Sequence, residues 1–110
     1  REGCELIMEA IEKAGYAGKC TIGLDVAASE FKVKGQDAYD LDFKYDGNIV
    51  SGEGLGDLYQ SLAADFPIVT IEDPFDEDDW SNWSKFTNKN GAQFQVVGDD
   101  LTVTNIEKIK

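Results

Sequence analysis

Three short apolar runs in this chain end the same way, in a carboxylate. Ile68-Val69-Thr70-Ile71 runs into Glu72, Asp73 and Pro74. Thr21-Ile22-Gly23-Leu24 runs into Asp25, and Gln95-Val96-Val97-Gly98 runs into Asp99-Asp100. The first run is largely β-branched, which suits a strand covered on both faces. Pro74 lacks an N–H, so a sheet ladder stops there. Strands separated by helical stretches pair in parallel through right-handed crossovers, which brings their C-terminal tips to one edge. In α/β sheets and barrels that edge is where ligands bind. The pattern therefore restricts the chain to an α/β class and makes the acids at the strand tips the candidate functional centre.

The stretches between the runs fit that class. Residues 2–14 place Leu6, Ile7, Ala10, Ile11 and Ala14 on one helical face, with Gly15 to terminate. Phe31 to Val33 and Tyr39 to Phe43 alternate weakly around Lys34-Gly35-Gln36-Asp37, which predicts a small hairpin outside the main sheet. Asp46-Gly47-Asn48 reads as a turn. Ser51 can cap a helix whose apolar stripe is Leu55, Leu58, Tyr59, Leu62 and Phe66, with Pro67 closing it. Asp76-Glu77-Asp78-Asp79 precedes a helix over about 80–88, with Trp80, Trp83 and Phe86 as its buried face. Carboxylates capping that helix explain the acid run better than a metal site does. Asn105 can cap a last helix. Helices on one side of three strands leave the other face bare, so the chain reads as a segment of a larger barrel or doubly wound fold.

Charge and composition exclude several functions. A formal net charge of -12 leaves no basic patch to hold phosphates, which argues against nucleic-acid and anionic-membrane partners. There is no histidine, so the commonest general base and transition-metal ligand is missing. The two cysteines, Cys4 and Cys20, form no framework and read as reduced thiols of a cytoplasmic protein. No apolar run approaches the ~20 residues of a membrane span, and no signal-peptide pattern opens the chain.

Neighbouring parallel strands lie about 4.8 Å apart, so carboxylates at three strand tips can converge. Like charges this close raise one another's pKa, and a divalent ion removes that cost. All-oxygen ligation with open positions suits Mg²⁺. Asp25, Glu72 and Asp99 are the candidate ligands. In an extended chain the residue after a ligand faces the other way, so Asp73 and Asp100 read as structural.

Longer motifs narrow this further. Ile22-Gly23-Leu24-Asp25-Val26-Ala27-Ala28-Ser29-Glu30-Phe31, Tyr39-Asp40-Leu41-Asp42-Phe43-Lys44, Ile71-Glu72-Asp73-Pro74-Phe75-Asp76, Asp78-Asp79-Trp80 and Gly98-Asp99-Asp100-Leu101-Thr102-Val103-Thr104-Asn105 together resemble the enolase family, in order and with compatible spacing. The resemblance implies a partial TIM-like (β/α) barrel, with residues 1–110 part of the enolase C-terminal domain and the N-terminal domain absent. It implies a cytoplasmic hydro-lyase of glycolysis and gluconeogenesis that converts 2-phosphoglycerate reversibly to phosphoenolpyruvate. It also implies a homodimer. The family's metal-binding carboxylates match Asp25, Glu72 and Asp99, and Asp100 matches a residue beside the active-site lysines. A Lys or His base working with one or two Mg²⁺ ions is a general property of that superfamily rather than a deduction from these residues. The family's base lysine and acid glutamates match nothing in this chain, so the resemblance implies an inactive isolated segment. Lys32 departs from the pattern, standing where an aromatic commonly follows Phe31, and Ile106 stands where a proline is common.

Two other readings share some of these features. Another Mg²⁺-dependent enzyme of the same superfamily, a racemase or cycloisomerase, would carry the same three-acid layout. Asp42 to Glu53 resembles an EF-hand loop, with acids at 42, 46 and 53 and Gly47 at the sharp turn. Lys44 at the third loop position and the strand-like Tyr39-Asp40-Leu41 weigh against that calcium-binding alternative.

Overall fold

The computed structural model describes residues 1–45 and 47–110. The turn and EF-hand readings that involve Asp46 fall partly outside the described residues. Elements follow in the order α1 (Glu2–Lys13), β1 (Ile22–Asp25), a 3-10 turn (Ala28–Phe31), β2 (Ala38–Asp40), β3 (Ile49–Ser51), α2 (Gly52–Asp65), β4 (Ile68–Glu72), α3 (Trp80–Asn90), β5 (Gln95–Val97), α4 (Asp99–Thr102) and α5 (Ile106–Ile109). Strands β1, β4 and β5 form one parallel sheet in that order, as the three acid-tipped runs predict.

Register decides which side chains share a face. Leu24, Ile71 and Val96 lie side by side across the sheet and pack into the core beneath the helices. Gly23, Thr70 and Gln95 form a row on the other face, and Asp25, Glu72 and Val97 form the next row toward the tips. One irregularity sets this alignment. Ile22 stands opposite Ile68, but Gly23 stands opposite Thr70, so Val69 is an extra residue in β4. Val69 is also 46% exposed, which corrects the expectation of a strand covered on both faces.

The core is built on aromatic edges. Phe75 meets Tyr39, Tyr59, Trp83 and Phe86 in edge-to-face contacts with ring centroids 5.4–6.4 Å apart. Such pairs favour the quadrupoles of both rings. Both buried phenols find partners: Tyr59 donates to the Pro74 carbonyl at 2.8 Å, and Tyr39 donates to Asp79 Oδ2 at 2.6 Å.

Several helix faces differ from their predicted stripes. In α1 the inward residues are Cys4 and Met8, while Leu6 and Ile7 are exposed. In α2 the buried face is Gly52, Leu55, Gly56, Tyr59 and Leu62, and Leu58 lies outside it. Glycine carries no hydropathy signal, so the close approach of α2 to α3 is invisible to periodicity. Trp80 is exposed in the first turn of α3, whereas Asn82 and Asn90 are buried.

The hairpin also differs. Its partner strands are β2 and β3, not the run at Phe31 to Val33. Ala27 takes a left-handed φ of 47° and turns the chain into the 3-10 segment that absorbs Phe31. Between the two predicted strands, the ladder among the described residues is reduced to an isolated Lys32–Tyr39 bridge. Because β2 is a strand and β3 lies within the loop, the helix–loop–helix frame of an EF-hand is not formed. The caps do agree with expectation. Ser51 accepts from the Gly54 N–H, Asp79 from the Asn82 N–H, and Asn105 from the Glu107 N–H.

Asp79 is a hub as well as a cap. Its Oδ2 accepts from Tyr39, from Lys32 Nζ at 3.2 Å and from Asn82 Nδ2 at 2.8 Å. Lys32 Nζ also lies 4.4 Å from the Tyr39 ring centroid, so the departure at position 32 gains both an ion pair and a cation–π contact. Burial pushes the Asp79 carboxyl up, but the hydrogen bonds from Asn82, Tyr39 and Lys32 more than offset it, leaving the group below its ordinary value.

Candidate metal centre

The parallel register places Asp25 directly opposite Glu72 at the tips of β1 and β4. Strand β5 ends at Val97, opposite Glu72, and one further residue brings the chain to Asp99. The carboxylates fall into two overlapping groups. Asp25, Glu72 and Asp73 have ligand atoms within 4.8 Å of one another, and so do Asp73, Asp99 and Asp100. The predicted trio is therefore drawn to one sheet edge, with Asp99 in the second group rather than the first.

Asp73 joins the two groups, and its placement corrects the extended-chain expectation. Its φ of 42° is left-handed, so the alternation of faces ends at Glu72. Asp73 is buried, 4% exposed, and both its carboxylate oxygens accept from the Asp100 N–H at 3.2 Å. No local rule announces this placement: proline steers the residue before it toward extended backbone, and only the tolerance of Asp for the left-handed region permits it.

Electrostatics follow from crowding. Burial pushes the Glu72 carboxyl up, and the charges of Asp25, Asp73, Asp99 and Asp100 push it further in the same direction. Burial also pushes Asp73 up; backbone N–H donors from Asp100 and Asp99 act against it, and the charges of those two residues act with it. Among the described residues none of the five acids takes part in an ion pair with lysine or arginine. A hard divalent cation fits this donor set. All the donors are carboxylate oxygens, they converge, and their mutual repulsion is uncompensated. Asp25 and Asp99 are exposed and Glu72 is partly buried, so an ion there would retain positions open to water or substrate.

The acid run at Asp76 to Asp79 does other work. Asp76 Oδ1 accepts from the Asp78 N–H, and Asp79 caps α3, as the capping interpretation predicts. Among the described residues, no helix is long and apolar enough to cross a membrane.

Comparison with known proteins agrees with this architecture. Residues 1–110 match the family described as enolase, C-terminal TIM barrel domain. The chain is 54% identical over 113 residues to an enolase of Solanum lycopersicum, covering 99% of this chain and 25% of that protein. It is 52% identical over 115 residues to enolase 2 of Hevea brasiliensis, covering 100% of this chain and 25% of that protein. The chain thus spans about a quarter of the length of the curated relatives it matches. Three parallel strands joined through helices, with an acid-rich tip, are what a segment of such a barrel contributes, and the chain belongs to the enolase family, within its C-terminal TIM barrel domain.

Proposed function

We propose that this chain supplies the metal-binding carboxylates of an enolase, a cytoplasmic homodimeric lyase that interconverts 2-phosphoglycerate and phosphoenolpyruvate with Mg²⁺. The observation that carries this reading is the alignment of Asp25 with Glu72 at paired strand tips, with Asp99 in the turn just past the end of the neighbouring strand β5. In this reading Asp25, Glu72 and Asp99 hold the ion, and Asp100 stands beside them as a supporting acid. When bound, Mg²⁺ supplies Lewis-acid stabilisation of charge that develops on a substrate carboxylate. The chain's own residues hold and orient. The β1–β4 pairing fixes the spacing of two carboxylates, and the hydrogen-bonded turn after β5 fixes the third. The base lysine that the family resemblance implies matches no position of this chain, so in this reading the proton-abstracting base comes from elsewhere in the complete protein. The isolated 110-residue chain is accordingly proposed to be inactive.

The test measures Mg²⁺ binding and the rise in phosphoenolpyruvate absorbance from 2-phosphoglycerate. Both are followed in the complete protein, in its Glu72→Gln variant and in this segment alone. Expected are Mg²⁺-dependent activity in the complete protein, a loss of Mg²⁺ affinity and rate together in Glu72→Gln, and silence in the segment. Unchanged affinity and rate in Glu72→Gln would remove Glu72 from the site. A complete protein that binds Mg²⁺ but leaves 2-phosphoglycerate untouched would point to a racemase or cycloisomerase instead.

A further inference from the structure

Asp73 follows β4 and is hydrogen-bonded to the end of β5 and to the turn after β1. Its N–H donates to the Val97 carbonyl at 2.9 Å, at the end of β5. Its carbonyl accepts from the Ala28 N–H at 3.1 Å, in the turn that follows β1. Its carboxylate, at the end of β4, receives the Asp100 N–H on both oxygens. The turn it reaches has no cap of its own, because Gly98 precedes α4 and offers no side chain. Asp73 therefore caps that turn from another strand, and the turn carries Asp99. A buried, charged acceptor is a strong partner for a backbone N–H, and an unmatched buried N–H is costly.

Resting on the metal-centre reading above, we propose that Asp73 is a positioning residue for this centre and not a fourth ligand. By taking the Asp100 N–H, it holds the Gly98–Asp100 turn against the tip of β4 and so sets where the Asp99 carboxylate stands relative to Glu72. The left-handed backbone limits what can stand there. Asparagine adopts it and keeps a carbonyl oxygen as acceptor; glycine adopts it and offers none. Both remove the negative charge. Comparing Asp73→Asn with Asp73→Gly therefore separates the acceptor from the charge.

Mg²⁺ affinity and amide exchange over residues 98–103 are measured in the complete protein and in both variants. Metal-free samples are used for the exchange. The expected result is that Asp73→Asn stays within about threefold of the wild-type Mg²⁺ affinity, while Asp73→Gly loses about tenfold or more, the scale on which supporting partners of metal ligands act. Exchange over 98–103 accelerates in Asp73→Gly alone. Equal loss of affinity in the two variants, with exchange unchanged, would make Asp73 a ligand or a charge donor and overturn the proposal. A lower melting temperature in Asp73→Gly with neither affinity nor local exchange altered would make its role structural only, and would also overturn it. Absence of Mg²⁺ binding by the wild type would refute the metal centre, while the exchange comparison would still decide whether Asp73 holds the turn.

Discussion

The Tyr39 hydroxyl is a single group with two obligations. It donates to Asp79 Oδ2 and accepts from the Asp76 N–H at 3.0 Å, so it ties the hairpin to the loop that leaves β4. Burial comes first in raising its pKa, and the hydrogen bond to Asp79 adds to that, so the phenol stays protonated and keeps donating. Tyr39→Phe preserves the ring and its edge contacts with Phe31 and Phe75. It removes a partner from the Asp76 N–H and from Asp79. A loss of roughly 1–3 kcal/mol is expected, read as a lower denaturant midpoint with unchanged slope. A midpoint equal to wild type would mean that water replaces the hydroxyl at no cost. Residues such as this one explain an uneven legibility. Glu72 announces itself through an apolar run and a following proline. Tyr39 and Asp73 do not, because their partners lie tens of residues away in the chain and no local pattern records them.

Between elements, the contact of α2 with α3 reverses an ordinary preference. Alanine is favoured over glycine inside a helix by ~1 kcal/mol. At Gly52 an added Cβ would overlap Asn82 Nδ2 and come within 2.7 Å of Asp37 Oδ1, breaking the Asn82–Asp37 hydrogen bond of 2.8 Å. At Gly3, in α1, a Cβ meets nothing within 4 Å. Gly52→Ala should therefore destabilise, while Gly3→Ala should stabilise by about 0.5–1 kcal/mol. Thermal melts of the two variants side by side check the opposite signs, and a shared sign would refute the contact argument. Legibility at this scale follows the strength of local signals. The three parallel strands and the caps at Ser51, Asp79 and Asn105 carry apolar runs and side-chain acceptors that a sequence displays. Strand β3 is three residues long, and its last residue, Ser51, also caps α2, so little of it resembles a strand. The exposed Leu6, Ile7 and Trp80 carry the right spacing for a buried face, but which face turns inward is decided by the neighbours that each helix meets.

For the molecule as a whole, the acid edge and the Asp79 hub give pH effects of opposite sign in separate windows. A carboxyl whose folded pKa lies above its unfolded value binds its proton more tightly when folded. Its destabilisation is full above the folded pKa and disappears as pH falls to the unfolded value. Glu72 and Asp73 are of this kind, so metal-free protein should gain stability as pH drops from neutral toward about 4. Asp79 is the reverse: its contribution is present above about 4 and is lost as pH falls through its lower folded pKa. Melting temperatures of chelator-treated protein should rise on mild acidification and fall in stronger acid. Saturating Mg²⁺ should flatten the first trend, and a rise that persists unchanged with Mg²⁺ would assign it to other groups. The extra residue in β4 has a consequence for how relatives of this chain are compared. Had the pairing at Ile22 and Ile68 continued without it, Asp25 would lie opposite Ile71 and face the helices. One inserted or deleted residue below Glu72 is therefore equivalent to losing an acid, even if every carboxylate is retained. A gap in an alignment at this place should be weighed like a substitution of Asp25 itself.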